Sequence, residues 1–156
     1  MATKADLLCQ SFFPTPPEPD LTDIGNYEYR PPINLPPIKT REIREAIMKT
    51  PTKKAPGTDG IPNGILHEVL KQIVPRLGHL FNASLRVGYY PKHFRTSITV
   101  VIRKEGKESY YNTKSYRPIA LLNTIGKALE SILASRISYC VEAYNLLPEL
   151  RIGGRK

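Results

Sequence analysis

From residue 40 onward, apolar positions recur at helical spacing and give way to a strand pattern only twice. Ile43, Ala46 and Ile47 fall three and four apart behind Thr40, a residue able to cap a helix. Glu42 sits where a negative charge favours the first turn, and Pro51 forces an end. A second series runs Ile65, Leu66, Val69, Leu70 and Ile73. A third runs Leu77, Leu80, Phe81 and Leu85 up to Gly88, which can close a helix in left-handed geometry. Pro75 stands between them and either kinks one long helix or starts a new one. Residues 98–103 are β-branched and short, as in a strand, and residues 116–121 read as the partner, with Pro118 keeping that strand at a sheet edge. Residues 105–114 then form the connecting loop. The last series is Ile125, Ala128, Leu129, Ile132, Leu133, Ile137, Cys140, Val141 and Tyr144, which predicts a helix over about 124–144. The fold class that follows is α+β, predominantly helical with one short antiparallel strand pair.

The first third of the chain has a different character. Residues 14–37 hold eight of the fifteen prolines, which removes amide donors and predicts an extended lead-in over residues 1–38 ahead of a domain over 39–156. Phe12, Phe13, Tyr27 and Tyr29 can anchor that segment as a strap, or it is a plain linker. Charge follows the same division. Residues 1–50 carry six Lys/Arg against seven Asp/Glu, whereas residues 51–156 carry seventeen against seven, so the net +9 belongs to the later part and calls for a polyanionic partner or a solvated basic surface. No apolar run is long enough to span a bilayer and no signal-peptide pattern opens the chain, which predicts an intracellular protein without a membrane partner. Cys9 and Cys140 fit neither a disulfide framework nor a zinc spacing and read as free thiols.

The candidate chemistry is cationic. Pro118 pushes Arg117 out of helical geometry, so its guanidinium leaves a strand in a restricted direction. A planar, permanently charged fork of that kind can contact two phosphate oxygens at once. Lys104 or Arg103, at the end of the neighbouring strand, can add to it, and a shift of one residue decides which face each occupies. Lys53-Lys54-Ala55-Pro56-Gly57-Thr58-Asp59-Gly60 is locally a turn, with glycines that permit close approach or positive φ and an aspartate that can bond nearby amides. It lacks the Gly-Lys-Ser/Thr ending of a Walker phosphate loop. Tyr89, Tyr90, Phe94, Tyr110 and Tyr111, interleaved with Lys92, Arg95 and Lys107, can stack on bases or serve as packing anchors. Gly126-Lys127 can meet an anion at a helix start, or Gly126 can permit close packing. His67, His79 and His93 lack metal-ligand partners at usable spacing, and no aspartate follows Asp59 to complete a metal pair.

Taken together, residues 54–62, Pro91-Lys92-His93-Phe94, the segment from Val100 to Lys104, the block from Ser115 to Lys127, Leu147-Pro148 and Gly153-Gly154-Arg155-Lys156 resemble the reverse transcriptase of non-LTR, LINE-like retrotransposons, over nearly the whole chain from about residue 10. The resemblance is to the amino-terminal, fingers part of that domain, ahead of the palm and its metal-binding aspartates. It implies an RNA template, a DNA primer and deoxynucleoside triphosphates as partners, with a following palm segment needed as well. It places Lys104 and Arg117 at the triphosphate, with Arg103 as the alternative to Lys104. Lys53, Lys54, Gly57 and Gly60 fall beside the template, and Arg155 opens a further template-contacting motif, although Arg151 and Ile152 precede it where the family commonly has glutamine and an aromatic. Mg²⁺ is expected for the complete enzyme and none for this fragment, which alone is expected to be inactive. The competing expectations are a non-catalytic basic nucleic-acid-binding module and a functionless transposon relic.

Overall fold

A computed structural model describes residues 3–22, 25, 28 and 31–147. Among them, Pro37–Ile98 together with the residues from Ala120 onward make one compact unit, and the residues up to Pro36 together with Thr99–Ile119 make another.

The first of these units is helical: α2 (Thr40–Met48), α3 (Asn63–Glu68), α4 (Leu70–Val87), α5 (Lys92–Arg95) and α6 (Thr124–Ala143). Helix α2 packs against α3, α4 and α6, and its Ile43, Ala46 and Ile47 form the middle of the core. Leu66, Leu70, Val74, Leu77 and Phe81 face it as one stripe that continues through the break between α3 and α4. Phe94 closes one end, and Ala128, Leu129 and Ile132 cover the remaining side. Phe81 meets Phe94 edge to face with ring centroids 6.4 Å apart, a geometry that adds about 1 kcal/mol to the area both rings bury. Ile65, Val69, Leu80 and Leu85 share the helical spacing yet lie outside the buried stripe and are exposed.

Two boundaries depart from the sequence expectation. Lys39, not Thr40, is the residue ahead of α2, and the Glu42 carboxylate accepts a hydrogen bond from the Lys39 amide at 2.8 Å, so Thr40 is the first helical residue. Pro75 neither starts a helix nor ends one. It lies inside α4, exposed, at the cost of one amide donor to the Lys71 carbonyl, and the break falls at Val69 instead. The four-residue α5 follows Pro91, which pre-sets its entry. Gly88 does close α4, at φ 64°.

An ion pair fastens α6 to α2. Arg136 Nε donates to Glu42 Oε1 at 2.8 Å and its terminal nitrogen to Oε2 at 2.9 Å, with a further bond to the Pro37 carbonyl at 3.1 Å. The Arg136 hydrogen bonds hold the Glu42 carboxyl below its ordinary value, against an opposing effect of burial. A carboxyl lowered in the folded state contributes stability above its unfolded value of about 4.3, and that contribution is lost as pH falls through the lower folded value. Glu42→Gln should therefore cost about 2 kcal/mol at neutral pH, as for hydrogen bonds to charged groups. The difference from wild type should shrink below about pH 4, read from urea unfolding at both pH values.

In the second unit, α1 (Lys4–Phe12) is a helix that the proline-rich composition downstream conceals. Thr3 and Asp6 make a reciprocal capping box, and these hydrogen bonds lower the Asp6 carboxyl's pKa. The lead-in is thus not uniformly extended. From Pro14 to Pro37 no described residue belongs to a helix or strand. Tyr27 and Tyr29 lie outside the described residues. The strands β1 (Ser97–Arg103) and β2 (Tyr116–Leu122) pair antiparallel as a two-stranded ribbon, closed where the Lys104 amide donates to the Ser115 carbonyl at 2.9 Å. A 3₁₀ turn over Thr113–Ser115 ends the connecting loop. Ser11 of α1 bonds Thr113 at 3.1 Å, and Lys4 Nζ donates to the Tyr116 hydroxyl at 3.1 Å while lying 5.0 Å from that ring's centre.

Candidate functional site

The turn over Gly57–Gly60 in the helical unit is held by side chains far away in sequence. The Gly60 amide donates to the Gly57 carbonyl at 3.2 Å, the Ile61 amide donates to Asp59 Oδ1 at 3.1 Å, and Gly60 takes φ +66°, a conformation that favours glycine. Asp59 is therefore occupied within its own turn. Asn123, buried at the junction of β2 and α6, accepts from the Thr58 hydroxyl at 3.0 Å and from the Asp59 amide at 3.2 Å, and donates to the His93 carbonyl at 3.0 Å. A second amide, Asn63, donates to the Pro51 carbonyl at 2.7 Å and accepts from the Thr124 hydroxyl. Gly57 is buried so tightly that a Cβ there would stand 2.3 Å from Asn123 Oδ1 and 2.6 Å from the Leu122 carbonyl carbon. The result is a fixed turn that leaves Lys53 and Lys54 exposed just before it. Neither Asn123 nor Asn63 was evident as an anchor. The only sequence signal is a polar amide near apolar positions, and the partners lie from 12 to 65 residues away.

Gly126 serves packing: a Cβ there would lie 2.9 Å from Phe94 Cβ and 3.2 Å from the Tyr90 hydroxyl. That hydroxyl donates to Glu130 at 3.0 Å, and burial first, then the Glu130 carboxylate, pushes its pKa up. Tyr90 and Phe94 are thus packing groups, whereas Tyr89 is exposed with Arg95 over its ring at 5.8 Å. His67 bonds the Ile47 carbonyl at 3.0 Å and so ties α3 to the end of α2.

On the ribbon, alternation separates the candidate cations. Arg103 lies over the Tyr110 ring at 5.1 Å, and Tyr110 meets the buried Tyr116 at 6.0 Å. These three groups and Lys4 form one cluster in which the Lys4 hydrogen bond leads in holding the Tyr116 hydroxyl's pKa below its ordinary value. Arg117 follows Tyr116 in the same strand and therefore points to the opposite face, where it is exposed. Pairing of Lys104 with Ser115 sets Ile102 opposite Arg117 and Val100 opposite Ile119, an apolar face left open to solvent. Lys104, half-buried, donates from Nζ to the Lys114 carbonyl at 2.9 Å, and its own carbonyl accepts from Tyr110 at 2.9 Å. The ribbon thus brings Arg103 together with tyrosines and sets Arg117 apart from it. Arg155 lies outside the described residues.

Among the described residues no three His, Cys, Asp or Glu side chains come together as metal ligands, and no helix is long and apolar enough to cross a membrane. Cys9 is exposed on α1 and Cys140 buried on α6, both as free thiols.

No family model matches the chain. Among curated proteins it is 35% identical over 120 residues to the probable RNA-directed DNA polymerase from transposon BS of Drosophila melanogaster, which takes in 77% of this chain and 13% of that protein. It is 36% identical over 119 residues to the RNA-directed DNA polymerase from mobile element jockey of Drosophila funebris, covering 76% of this chain and 13% of that one. A putative 115 kDa protein in the type-1 retrotransposable element R1DM of Drosophila melanogaster is 30% identical over 133 residues, 85% of this chain and 12% of its own length. The aligned stretch is similar to one part of these retrotransposon RNA-directed DNA polymerases. The chain spans about 13% of the length of the polymerases it matches.

Proposed function

We propose that this chain is the fingers-like part of a retrotransposon RNA-directed DNA polymerase, the part that holds the template strand and the phosphates of the incoming nucleotide. One observation carries the reading. Among the described residues no carboxylate lies within ion-pair range of Lys53, Lys54, Arg103, Lys104 or Arg117, while Glu42 and Glu45 pair with other arginines. Cations left unneutralised on a chain of net charge +9 suit a polyanion. Lys53 and Lys54 beside the Gly57–Gly60 turn are assigned to template phosphates, and Arg155 to a further template contact. Arg117 is assigned to the triphosphate with Lys104, which can exchange the Lys114 carbonyl for a phosphate oxygen. Arg103 is the weaker candidate, because its guanidinium is already placed on Tyr110.

Polymerisation itself is proposed for the whole protein. A Mg²⁺ pair needs converging carboxylates; Asp59 Oδ1 is taken up by the Ile61 amide, and among the described residues no three His, Cys, Asp or Glu side chains come together as metal ligands. These residues do not fit a metal pair.

Arg117→Ala and Lys54→Ala should each lower affinity for a 16-nucleotide single-stranded RNA several-fold without changing the melting temperature, and each should reduce the salt slope by about 0.7. Unchanged affinity in both variants would place the basic surface elsewhere. A non-catalytic binding module predicts the same losses. Only the polymerase reading expects a deoxynucleoside triphosphate to bind the chain and to lose that binding in Arg117→Ala.

A further inference from the structure

The loop that joins β1 to β2 contains a large aromatic side chain that the fold holds in place but does not use. Tyr111 is fully exposed, at 103% of its reference surface, and among the described residues no hydrogen bond or ring contact engages its side chain. The residues on either side of it are fixed. Tyr110 turns inward, its hydroxyl on the Lys104 carbonyl at 2.9 Å and its ring against Tyr116, and its carbonyl accepts from the Tyr116 hydroxyl at 3.0 Å. The carbonyl of Ser109 accepts from the buried Ser115 hydroxyl at 2.6 Å, and the Tyr111 amide donates to Ser109 Oγ at 3.3 Å. Asn112 Oδ1 accepts from the Lys114 amide at 2.9 Å and its carbonyl from the Ser115 amide at 3.0 Å, which fixes the exit of the loop. A ring presented from a backbone tied at every neighbouring residue loses little entropy on binding.

We infer that Tyr111 is a stacking platform for a base of single-stranded nucleic acid, with Lys107 and Lys114 of the same loop meeting the adjoining phosphates. Both lysines are exposed, and no carboxylate among the described residues lies in ion-pair range of either. Glu105 and Glu108 share the loop, and the segment 99–119 keeps an excess of cations, five against two. Every base has an aromatic face, so the contact is tolerant of sequence and demands only that the base be unpaired. This rests on the nucleic-acid reading above and adds a contact that charge alone does not supply.

The test uses the full chain and a 16-nucleotide oligoadenylate, with an abasic oligonucleotide of the same length as its control. Tyr111→Ala should weaken oligoadenylate binding roughly tenfold, leave abasic binding and the salt slope unchanged, and keep the wild-type melting temperature, while Tyr111→Phe should retain wild-type affinity. The chain contains no tryptophan, so Tyr111→Trp makes a single fluorophore whose emission should be quenched by oligoadenylate and not by the abasic strand. Wild-type binding that Tyr111→Ala leaves intact, or an indole emission in the Tyr111→Trp variant that is indifferent to bases, would overturn the stacking role and spare the electrostatic reading. No binding of either oligonucleotide by the wild-type chain would overturn both.

Discussion

Replacing Gly57 with alanine is expected to destabilise the helical unit by about 3 kcal/mol, near the upper end for overpacking a buried site. The added methyl group would stand 2.3 Å from Asn123 Oδ1, 2.5 Å from the Asn123 amide nitrogen and 2.6 Å from the Leu122 carbonyl carbon, and two of those three atoms are backbone that cannot rotate away. Gly60→Ala supplies the internal control. Its Cβ would meet nothing within 4 Å, so that variant suffers only from φ +66° and should cost about 1 kcal/mol. Equilibrium urea unfolding of both variants separates the two causes: steric conflict makes Gly57→Ala the worse by a wide margin, and equal losses would show that Gly57 matters only as a flexible residue.

Asn123→Ala should cost about as much, roughly 3 kcal/mol, because it removes three hydrogen bonds and strands the Asp59 amide and the His93 carbonyl. Its effect should be local as well as global. With the clamp gone, the Asp59 amide loses its acceptor, and its hydrogen exchange should accelerate more than that of amides in α2. Asn123→Asp keeps the acceptor for Thr58 and Asp59 but cannot donate to His93, so it should fall between wild type and alanine. A loss in Asn123→Asp equal to that in Asn123→Ala would assign the whole effect to the His93 contact.

The elements that local patterning controls were legible in the chain. Helix α6 and both strands fall within a residue or two of their expected limits, because the 3.6-residue period of residues 125–144 and the β-branched run at 98–103 are local signals. Helix α1 escaped notice because its evidence is a four-residue capping box before a proline-rich stretch, with no residue of the helix buried. Along α3 and α4 the apolar positions outnumber those the core can accept. Leu66, Leu70 and Val74 entered it while Ile65, Val69 and Leu80 did not, and that choice depends on where α2 lies. The candidate site was legible as residue types only. Periodicity could say that Arg103 and Lys104 occupy opposite faces of a strand; it could not say that Tyr110 and Tyr116 would be waiting on the face of Arg103. Nor could it join Gly57 to Asn123, since nothing in either segment marks the other.

The claim that the unneutralised cations serve a polyanion is tested most directly by the salt dependence of binding. Affinity of the full chain for a 16-nucleotide single-stranded RNA should fall linearly on logarithmic axes as salt rises, with a slope of about −3, corresponding to roughly four phosphate contacts at −0.7 each. An affinity that stays constant as salt is raised would contradict it.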